Sequence, residues 1–172
     1  HRRDKAIVVV DMGGGYGGAL YEALHDNEIS AVPHKGAEST SQRTKDGQYR
    51  FYNKRSQVIW RFREALDPDQ VGGSPIELPP DPTLMADLAA PAFWVAKVEG
   101  QAAIQIEQKE AVCARIGRST DRGDAVVMSW SAGPTYITDG DDWQRQLNQS
   151  RGYGQQGVAN MGQRGIRLTG RR

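Results

Sequence analysis

The distribution of hydrophobic residues along the N-terminal part of the chain predicts two strands joined by a helix. Residues 6–11 are almost wholly apolar and β-branched, which is typical of a strand buried on both faces. Residues 16–26 place apolar side chains at helical spacing, and residues 29–34 form a second short apolar run. We therefore expect a βαβ unit with parallel strands and a right-handed crossover.

The middle of the chain predicts a loop followed by two helices. Residues 35–50 are polar and rich in Ser, Thr, Gly and charge, so we expect a mobile loop there. Residues 53–66 form a strongly amphipathic pattern that Pro68 ends. After a Gly- and Pro-rich connector, Asp81 precedes a proline and is the expected N-cap of a helix that runs to about residue 90.

The C-terminal part predicts a hairpin, two more helices and a tail. Two apolar runs flank a Glu-Gly turn, and helical spacing follows them; these elements cover residues 92–98, 102–107, 109–116 and 119–130. Ser119 or Asp121 is the expected N-cap of the last helix. From residue 133 the chain is rich in Gly, Gln and Arg, which predicts little intrinsic structure. The expected division is a folded domain, residues 1–132, and a tail, residues 133–172.

Composition and charge narrow the class of protein. The chain has 172 residues, of which 38% are hydrophobic, and this is enough for one domain with a core. No apolar run approaches the roughly 20 residues of a membrane helix, so we expect no membrane contact. The single cysteine, Cys113, excludes an intrachain disulfide. Residues 151–172 hold five arginines and no acid, although the net charge of the chain is only +1. The tail is therefore expected to attract polyanions.

The glycine cluster after the first predicted strand permits a dinucleotide-binding interpretation. Residues 13–18 fit the pattern G-x-G-x-x-G between a strand and a helix, and Glu38 follows where a ribose-binding acid would be sought. However, the carboxylate of Asp11 at the strand tip would repel a pyrophosphate. Glu38 lies beyond the second strand, and too few βα units follow for that fold. A dinucleotide-binding enzyme is therefore a remote alternative.

Three aspartates predict a metal site. Asp11 ends the first predicted strand, and ligands of α/β sheets gather at the carboxyl ends of strands. Asp121 and Asp124 are three positions apart in the first turn of the last predicted helix, so they share a face. If that helix packs beside the first strand, the carboxylates converge as Mg²⁺ or Mn²⁺ requires. The alternative is that Asp121 caps the helix and Asp11 shapes a turn.

Four segments carry a family resemblance, and they occur in the order IVVVDMGGGYGG, YNKRSQVIWRFREAL, IELPPDPTLMADLAAPAFW and IQIEQKEAVCARIGRSTDRGDAVVMS. Together they resemble the C-terminal nuclease domain of the large terminase subunit of tailed bacteriophages, over about residues 6–132. The resemblance implies an RNase H-like α/β fold, a mixed sheet flanked by helices, to which this chain adds a β-hairpin. It also implies a Mg²⁺ or Mn²⁺ site and endonucleolytic cleavage of concatemeric double-stranded DNA during capsid filling, in the cytoplasm of the host cell.

The resemblance also implies roles for particular residues. Asp11 matches the acid on the central strand, and Asp124 matches the acid on the final helix. Its neighbour Asp121 could take the place of Asp124 or assist it. Both the metal and the catalytic roles are thereby assigned to these aspartates. Lys109 matches a lysine beside the acidic site that would contact a phosphate or position a water. Arg55 matches the start of a helix, where we expect an ion pair that stabilises the fold rather than a catalytic role.

The chain departs from the family pattern at its N-terminus. In the family another metal-binding Asp lies on an earlier strand, and an ATPase motor precedes the domain. We therefore expect an incomplete sheet with an unpaired edge, which would pair with a second copy of the chain or with the upstream part of the same subunit. We also expect little or no nuclease activity, because a lone Asp11/Asp124 pair would hold a metal ion loosely.

A second hypothesis is a binding module without chemistry. The arginine-rich tail and residues 35–50 would then hold double-stranded DNA or dock on the portal or the small terminase subunit. Affinity that falls steeply with salt concentration would indicate such contacts, whereas metal-dependent stabilisation would indicate the nuclease site.

Overall fold

The computed structural model describes residues 7–133, which form a mixed α/β fold of five α-helices and two small sheets. The helices are α1 (Gly17–Asp26), α2 (Lys54–Leu66), α3 (Pro82–Ala89), α4 (Lys109–Ile116) and α5 (Asp121–Ser131). The strands are β1 (Val8–Asp11), β2 (Ala31–His34), β3 (Arg50–Phe51), β4 (Phe93–Val98) and β5 (Gln101–Ile106). The predicted tail lies outside the described residues, apart from Gly133. No helix within residues 7–133 has the length and apolar character needed to cross a membrane.

The predicted βαβ unit is confirmed, and glycines connect its first strand to its helix. β1 and β2 are parallel, with Asp11 opposite His34. Gly14 and Gly15 in the connecting turn have φ angles of 63° and 81°, a region that favours glycine. Gly17 begins α1, and a Cβ atom at this position would lie 2.1 Å from the main-chain oxygen of Asp11. The absence of a side chain therefore lets α1 start against the end of β1.

The described strands form two sheets rather than the one mixed sheet implied by the resemblance. β1 pairs with β2, and β5 lies between β3, to which it is parallel, and β4, to which it is antiparallel. Pro33 within β2 lacks an N–H for a further neighbour, which suits an edge strand. Along residues 7–133, β1 pairs with β2 alone.

The hairpin is confirmed, whereas β3 was not predicted. Glu99 and Gly100 form the turn between β4 and β5, with φ angles of 50° and 78°. These angles match the tight turns that follow the twist of a hairpin. β3 has only two residues and lies at the end of the segment that was predicted to be a loop.

Hydrogen bonds hold much of this predicted loop, residues 35–50, in place. The main-chain nitrogen of Thr44 donates to the main-chain oxygen of Tyr49 at 2.9 Å and closes a turn. The hydroxyl of Thr40 donates to the side-chain oxygen of Gln57 in α2 at 2.5 Å. The segment is therefore anchored on α2, contrary to the expectation of a mobile loop.

Helix α2 connects the larger sheet to α5. Its N-cap is Asn53, whose side chain accepts a hydrogen bond from the main-chain nitrogen of Ser56. Ser56 is fully buried, and its hydroxyl accepts a hydrogen bond of 3.1 Å from the main-chain nitrogen of Ile106 in β5. Two clusters of buried side chains both contact Ile59 of α2; they are Phe51, Ile104 and Ile106, and Val58, Phe62 and Val127.

The prediction that the first strand is buried on both faces is wrong. Val10 is buried, but Val8 and Val9 are half-buried. In α1, Leu20 remains 55% exposed. A sheet of two strands is too narrow to cover both of its faces, which explains this exposure.

We predict that Gly17→Ala strongly destabilises the domain. The added methyl group would meet the main chain of Asp11, so α1 must move away from β1. We expect the free energy of unfolding in urea to fall by about 3 kcal/mol. Gly18→Ala is the matched control, because a Cβ atom there has nothing within 4 Å. This control should be neutral or gain up to about 1 kcal/mol. Equal effects of the two substitutions would contradict the close contact between Gly17 and the main chain of Asp11.

Candidate functional site

A cavity of about 440 Å³ lies where β1, β2, α2, α4 and α5 come together. The acidic and basic side chains that line it are Asp11, His34, Arg55, Lys109, Glu110 and Asp124. Three of the four predicted site residues therefore line one cavity, although they come from distant parts of the sequence. The fourth, Asp121, is not among the residues that line it.

The carboxylate of Asp11 is oriented by the glycine turn that follows it. Its Oδ1 atom accepts a hydrogen bond of 2.8 Å from the main-chain nitrogen of Gly13. This is the bond by which an aspartate stabilises a turn two residues ahead. A Cβ atom at Gly13 would lie 3.0 Å from the same oxygen, so glycine allows the carboxylate this position. Asp11 thus both shapes the turn and faces the cavity.

The features that favoured a dinucleotide site are used in other ways. The first N–H of the glycine turn binds the carboxylate of Asp11, so it does not point at a phosphate. The side chain of Glu38 lies 3.6 Å from the ammonium of Lys35 and 3.8 Å from that of Lys54. These three contacts argue against the nucleotide interpretation.

A buried carboxylate positions α5 against α3. Asp87 of α3 is only 2% exposed, and it forms an ion pair with Arg118. Its Oδ2 atom also accepts a hydrogen bond of 3.2 Å from the main-chain nitrogen of Gly123. A Cβ atom at Gly123 would lie 2.8 Å from the Cβ of Asp87, so the two helices touch at this glycine. The next residue, Asp124, is thereby directed to the cavity.

The N-cap predictions for this helix are wrong. Thr120, rather than Ser119 or Asp121, occupies the N-cap position of α5. Thr120 is buried, and its hydroxyl donates to the Oδ2 atom of Asp124 at 3.0 Å instead of accepting from the helix main chain. The side chain of Ser119 donates to Asp121 at 2.5 Å. The side chains at the start of α5 therefore orient the two aspartates rather than cap the helix.

Lys109 joins the two aspartates of α5. Its ammonium nitrogen lies 3.0 Å from Asp121 Oδ1 and 3.0 Å from Asp124 Oδ2. Burial lowers the pKa of Lys109, but the hydrogen bonds to Asp124 and Asp121 outweigh burial, so the pKa is raised above its ordinary value. Lys109 is therefore a permanent cation at this site and offsets the charge of Asp124.

Asp121 is a partner of Lys109 on the outside of the site. Its side chain is 75% exposed. The hydrogen bond from Ser119 and then that from Lys109 lower the pKa of its carboxyl group. Asp121 can therefore hold Lys109 in position while Asp124 reaches into the cavity.

His34 and Glu110 line the cavity but were not identified from the sequence. His34 is buried, and burial and the charge of Lys54 lower its pKa. The charges of Asp11, Asp124 and Glu38 oppose this shift only in part. His34 is thus a neutral imidazole near two carboxylates. The parallel pairing of β1 and β2 could have pointed to His34, because it places His34 opposite Asp11 at the same edge of the sheet.

Arg55 does not form the predicted ion pair. Its Nη1 atom donates a hydrogen bond of 2.6 Å to the main-chain oxygen of Glu107. No ion pair of Arg55 occurs within residues 7–133, so the expectation of a stabilising ion pair is wrong.

The carboxylates of the cavity can supply some, but not all, of the oxygen ligands of a hard cation such as Mg²⁺. In the described part of the chain, no group of three or more His, Cys, Asp or Glu residues is arranged to hold a metal ion. Asp11 and Asp124 nevertheless line the same cavity. Mg²⁺ is often bound by one or two carboxylates, with waters and substrate phosphates in the other positions. These two aspartates fit that kind of site, and they do not form a complete protein cage.

We predict that protonation of His34 lowers the stability of the domain. Its pKa is lower in the folded chain than the ordinary 6.5, so the folded state binds this proton less readily than the unfolded state. The stabilisation is complete above about pH 6.5 and is lost as the pH falls from there through the folded pKa. NMR titration of the imidazole should give the lowered pKa directly.

Two variants test this pH dependence. His34→Gln should reduce the loss of unfolding free energy between about pH 7.5 and pH 5.5. His25→Gln is the control, because His25 is exposed at the end of α1, and it should leave the loss unchanged. An imidazole pKa of His34 at or above the ordinary value would contradict the buried, neutral state.

Comparison with known proteins identifies no relative of this chain. No protein-family model, no curated protein and no solved structure matches it. Any assignment of function therefore depends on the residues of the cavity and on the order and spacing of the sequence motifs.

Proposed function

We propose that this chain is the nuclease portion of a viral DNA-packaging terminase large subunit. In this proposal an RNase H-like domain cleaves concatemeric double-stranded DNA endonucleolytically with Mg²⁺ or Mn²⁺. The supporting observation is that Asp11 and Asp124, which match the two acids of the family pattern, line one cavity. Their convergence requires β1 and α5 to lie side by side, although the two elements are the first strand and the last helix described.

The fold supports the proposal at a coarser level. A parallel βαβ unit ends at Asp11, and the last helix brings a second acid to that strand end. This is the relationship expected of the central strand and the final helix in the proposed family. The separation of the strands into two small sheets is a difference from the expected single sheet.

Asp11 and Asp124 would hold the metal ion in this proposal. A bound Mg²⁺ or Mn²⁺ supplies an activated water and stabilises the leaving oxygen of a phosphodiester. Lys109 keeps Asp124 oriented and, as a permanent cation, can hydrogen-bond a phosphate oxygen. His34 is neutral near both acids and can accept a proton from water.

The proposed partners follow from the same function. Double-stranded DNA is the substrate, and the portal, the small terminase subunit and the upstream part of the same subunit are the protein partners. The unpaired edge of β1 is a surface where that upstream part or a second copy of the chain would add a strand. The proposed location is the cytoplasm of the host cell.

The second candidate is a non-catalytic module that binds DNA or the portal. The ion pairs of Lys109 favour it, because this cation already offsets the charge of Asp124. The lack of a three-ligand metal group within the described residues favours it as well. Both observations also predict that metal affinity and cleavage activity are weak if the chain is a nuclease.

We predict that Mn²⁺ stabilises the chain through Asp11 and Asp124. The melting temperature should rise with Mn²⁺ concentration, because an ion that binds only the folded state adds to its stability. Asp11→Asn and Asp124→Asn should each abolish this rise, since each removes one of two carboxylates. Cleavage of supercoiled DNA with Mn²⁺ should be weak and should also be lost in both variants.

Asp121→Asn is the matched control for these substitutions. It removes an equal charge from the same helix but from a side chain outside the cavity, so most of the Mn²⁺ effect should remain. A melting temperature unaffected by Mn²⁺, together with DNA binding that weakens steeply with salt, would support the binding module instead. Robust cleavage that Asp11→Asn abolishes would contradict the prediction of a weak site.

A further inference from the structure

The guanidinium group of Arg55 uses only part of its hydrogen-bonding capacity within the protein. Nη1 donates to the main-chain oxygen of Glu107 at 2.6 Å. Nη2 is buried, yet it has no hydrogen-bond partner along the described chain. Buried polar atoms are nearly always paired, so an unpaired donor on a charged group calls for an explanation.

The position of Arg55 in α2 is also unusual. Arg55 and Lys54 stand in the first turn of the helix, and this turn contains no acidic residue. Acidic side chains stabilise that end of a helix, whereas cations there oppose the helix dipole. Violations of local preference of this kind are typical of functional sites.

The first-turn amides of α2 do not themselves offer an anion site. The main-chain nitrogens of Lys54 and Arg55 donate to the main-chain oxygens of Glu38 and Gly36, at 2.8 and 2.9 Å. The next amide, of Ser56, donates to the N-cap side chain. Any attraction for an anion at this place therefore comes from the side chain of Arg55.

The surroundings of Arg55 bring its side chain to the cavity. A Cβ atom at Gly36 would lie 3.2 Å from the Cβ of Arg55, so this glycine leaves room for the arginine. Arg55 lines the cavity together with Lys109, and Asp11 and Asp124 line the same space. Glu110 lines it as well, so the cavity combines two cations with three carboxylates, and a phosphate would have to bind at the cationic side formed by Arg55 and Lys109.

We infer that Arg55 binds a phosphoryl oxygen in this cavity, with Nη2 as the donor and the hydrogen bond to Glu107 as the support that fixes the guanidinium. Arginine suits this role, because its planar fork can bind a fixed acceptor with one nitrogen and a phosphate with the other. The ligand is a phosphate group, either of a DNA backbone or free in solution. The inference rests on the proposed nuclease function for its DNA ligand, but not for the anion site itself.

The test measures phosphate binding by the full chain in the presence of EDTA, so that no metal ion contributes. Inorganic phosphate, compared with chloride at equal ionic strength, should raise the melting temperature of the wild-type chain. Arg55→Met should weaken the apparent affinity for phosphate by about ten-fold or more. Arg55→Lys should show a smaller but clear loss, because lysine keeps the charge and lacks the fork.

Arg63→Met is the matched control. Arg63 lies on the same helix, carries the same charge and stacks on Trp60 outside the cavity, so its removal should leave phosphate affinity unchanged. Equal losses in the Arg55 and Arg63 variants would overturn the inference, since nonspecific attraction would explain both. Absence of phosphate stabilisation in the wild type would overturn it too. If Arg55→Met does not fold, Arg55→Lys decides the question. A phosphate affinity of Arg55→Lys equal to that of the wild type would overturn the inference.

A second measurement identifies the source of the phosphate. A short DNA duplex should compete with inorganic phosphate for the wild-type chain, and this competition should be weaker in Arg55→Lys. Absence of competition would overturn the assignment to a DNA backbone. Because neither measurement contains metal, failure of Mn²⁺ binding or of cleavage would contradict the nuclease proposal and leave the anion site in place.

Discussion

The buried carboxylate of Asp87 is the constraint on which the site depends. A buried acid is costly unless it is paired, and Asp87 is paired with the guanidinium of Arg118 and the main-chain nitrogen of Gly123. Both partners belong to the segment that starts α5, so this one carboxylate fixes where the helix begins. Because Gly123 has no side chain, α5 packs directly on α3. Asp124 follows at the next position and reaches the cavity as a consequence.

A second constraint comes from the charges inside the cavity. Asp11, Glu110 and Asp124 line the same cavity as the cations Lys109 and Arg55, and the neutral imidazole of His34 lies near Asp11 and Asp124. Lys109 offsets the charge of Asp124, so the proposed metal ion would have to compete with an existing ion pair. The Nη2 atom of Arg55 is buried and has no hydrogen-bond partner among the described residues.

Local patterns in the sequence predicted most elements correctly. The βαβ unit, the hairpin and the helices that begin after Asn53 and Asp81 depend on spacing, turns and caps within a few residues. β3 could not be found in this way, because two residues carry no periodicity and their partner strand lies about fifty positions later. The two-sheet arrangement likewise depends on which strands pair across the chain.

The candidate site could be predicted only in part, because its residues come together through contacts between distant elements. Asp11, Lys109 and Asp124 were identified from motifs, but their convergence depends on the packing of α5 against α3. The N-cap of α5 was mispredicted, because Thr120 is buried and bonds to Asp124, which competes with its capping role. His34 carried no local signal of function, and the motif match of Arg55 predicted only an ion pair that stabilises the fold. Their roles follow from the strand register and from an unpaired buried nitrogen, and neither can be read from spacing.

Paramagnetic NMR can test whether Asp11 and Asp124 form one metal site, as we propose. A small amount of Mn²⁺ broadens the amide signals closest to the bound ion. Broadening should appear together at residues 12–14 and 123–125, at the lowest Mn²⁺ concentration that has any effect. Broadening of only one of these segments, or first at exposed acids such as Asp67 and Asp69, would contradict a shared site.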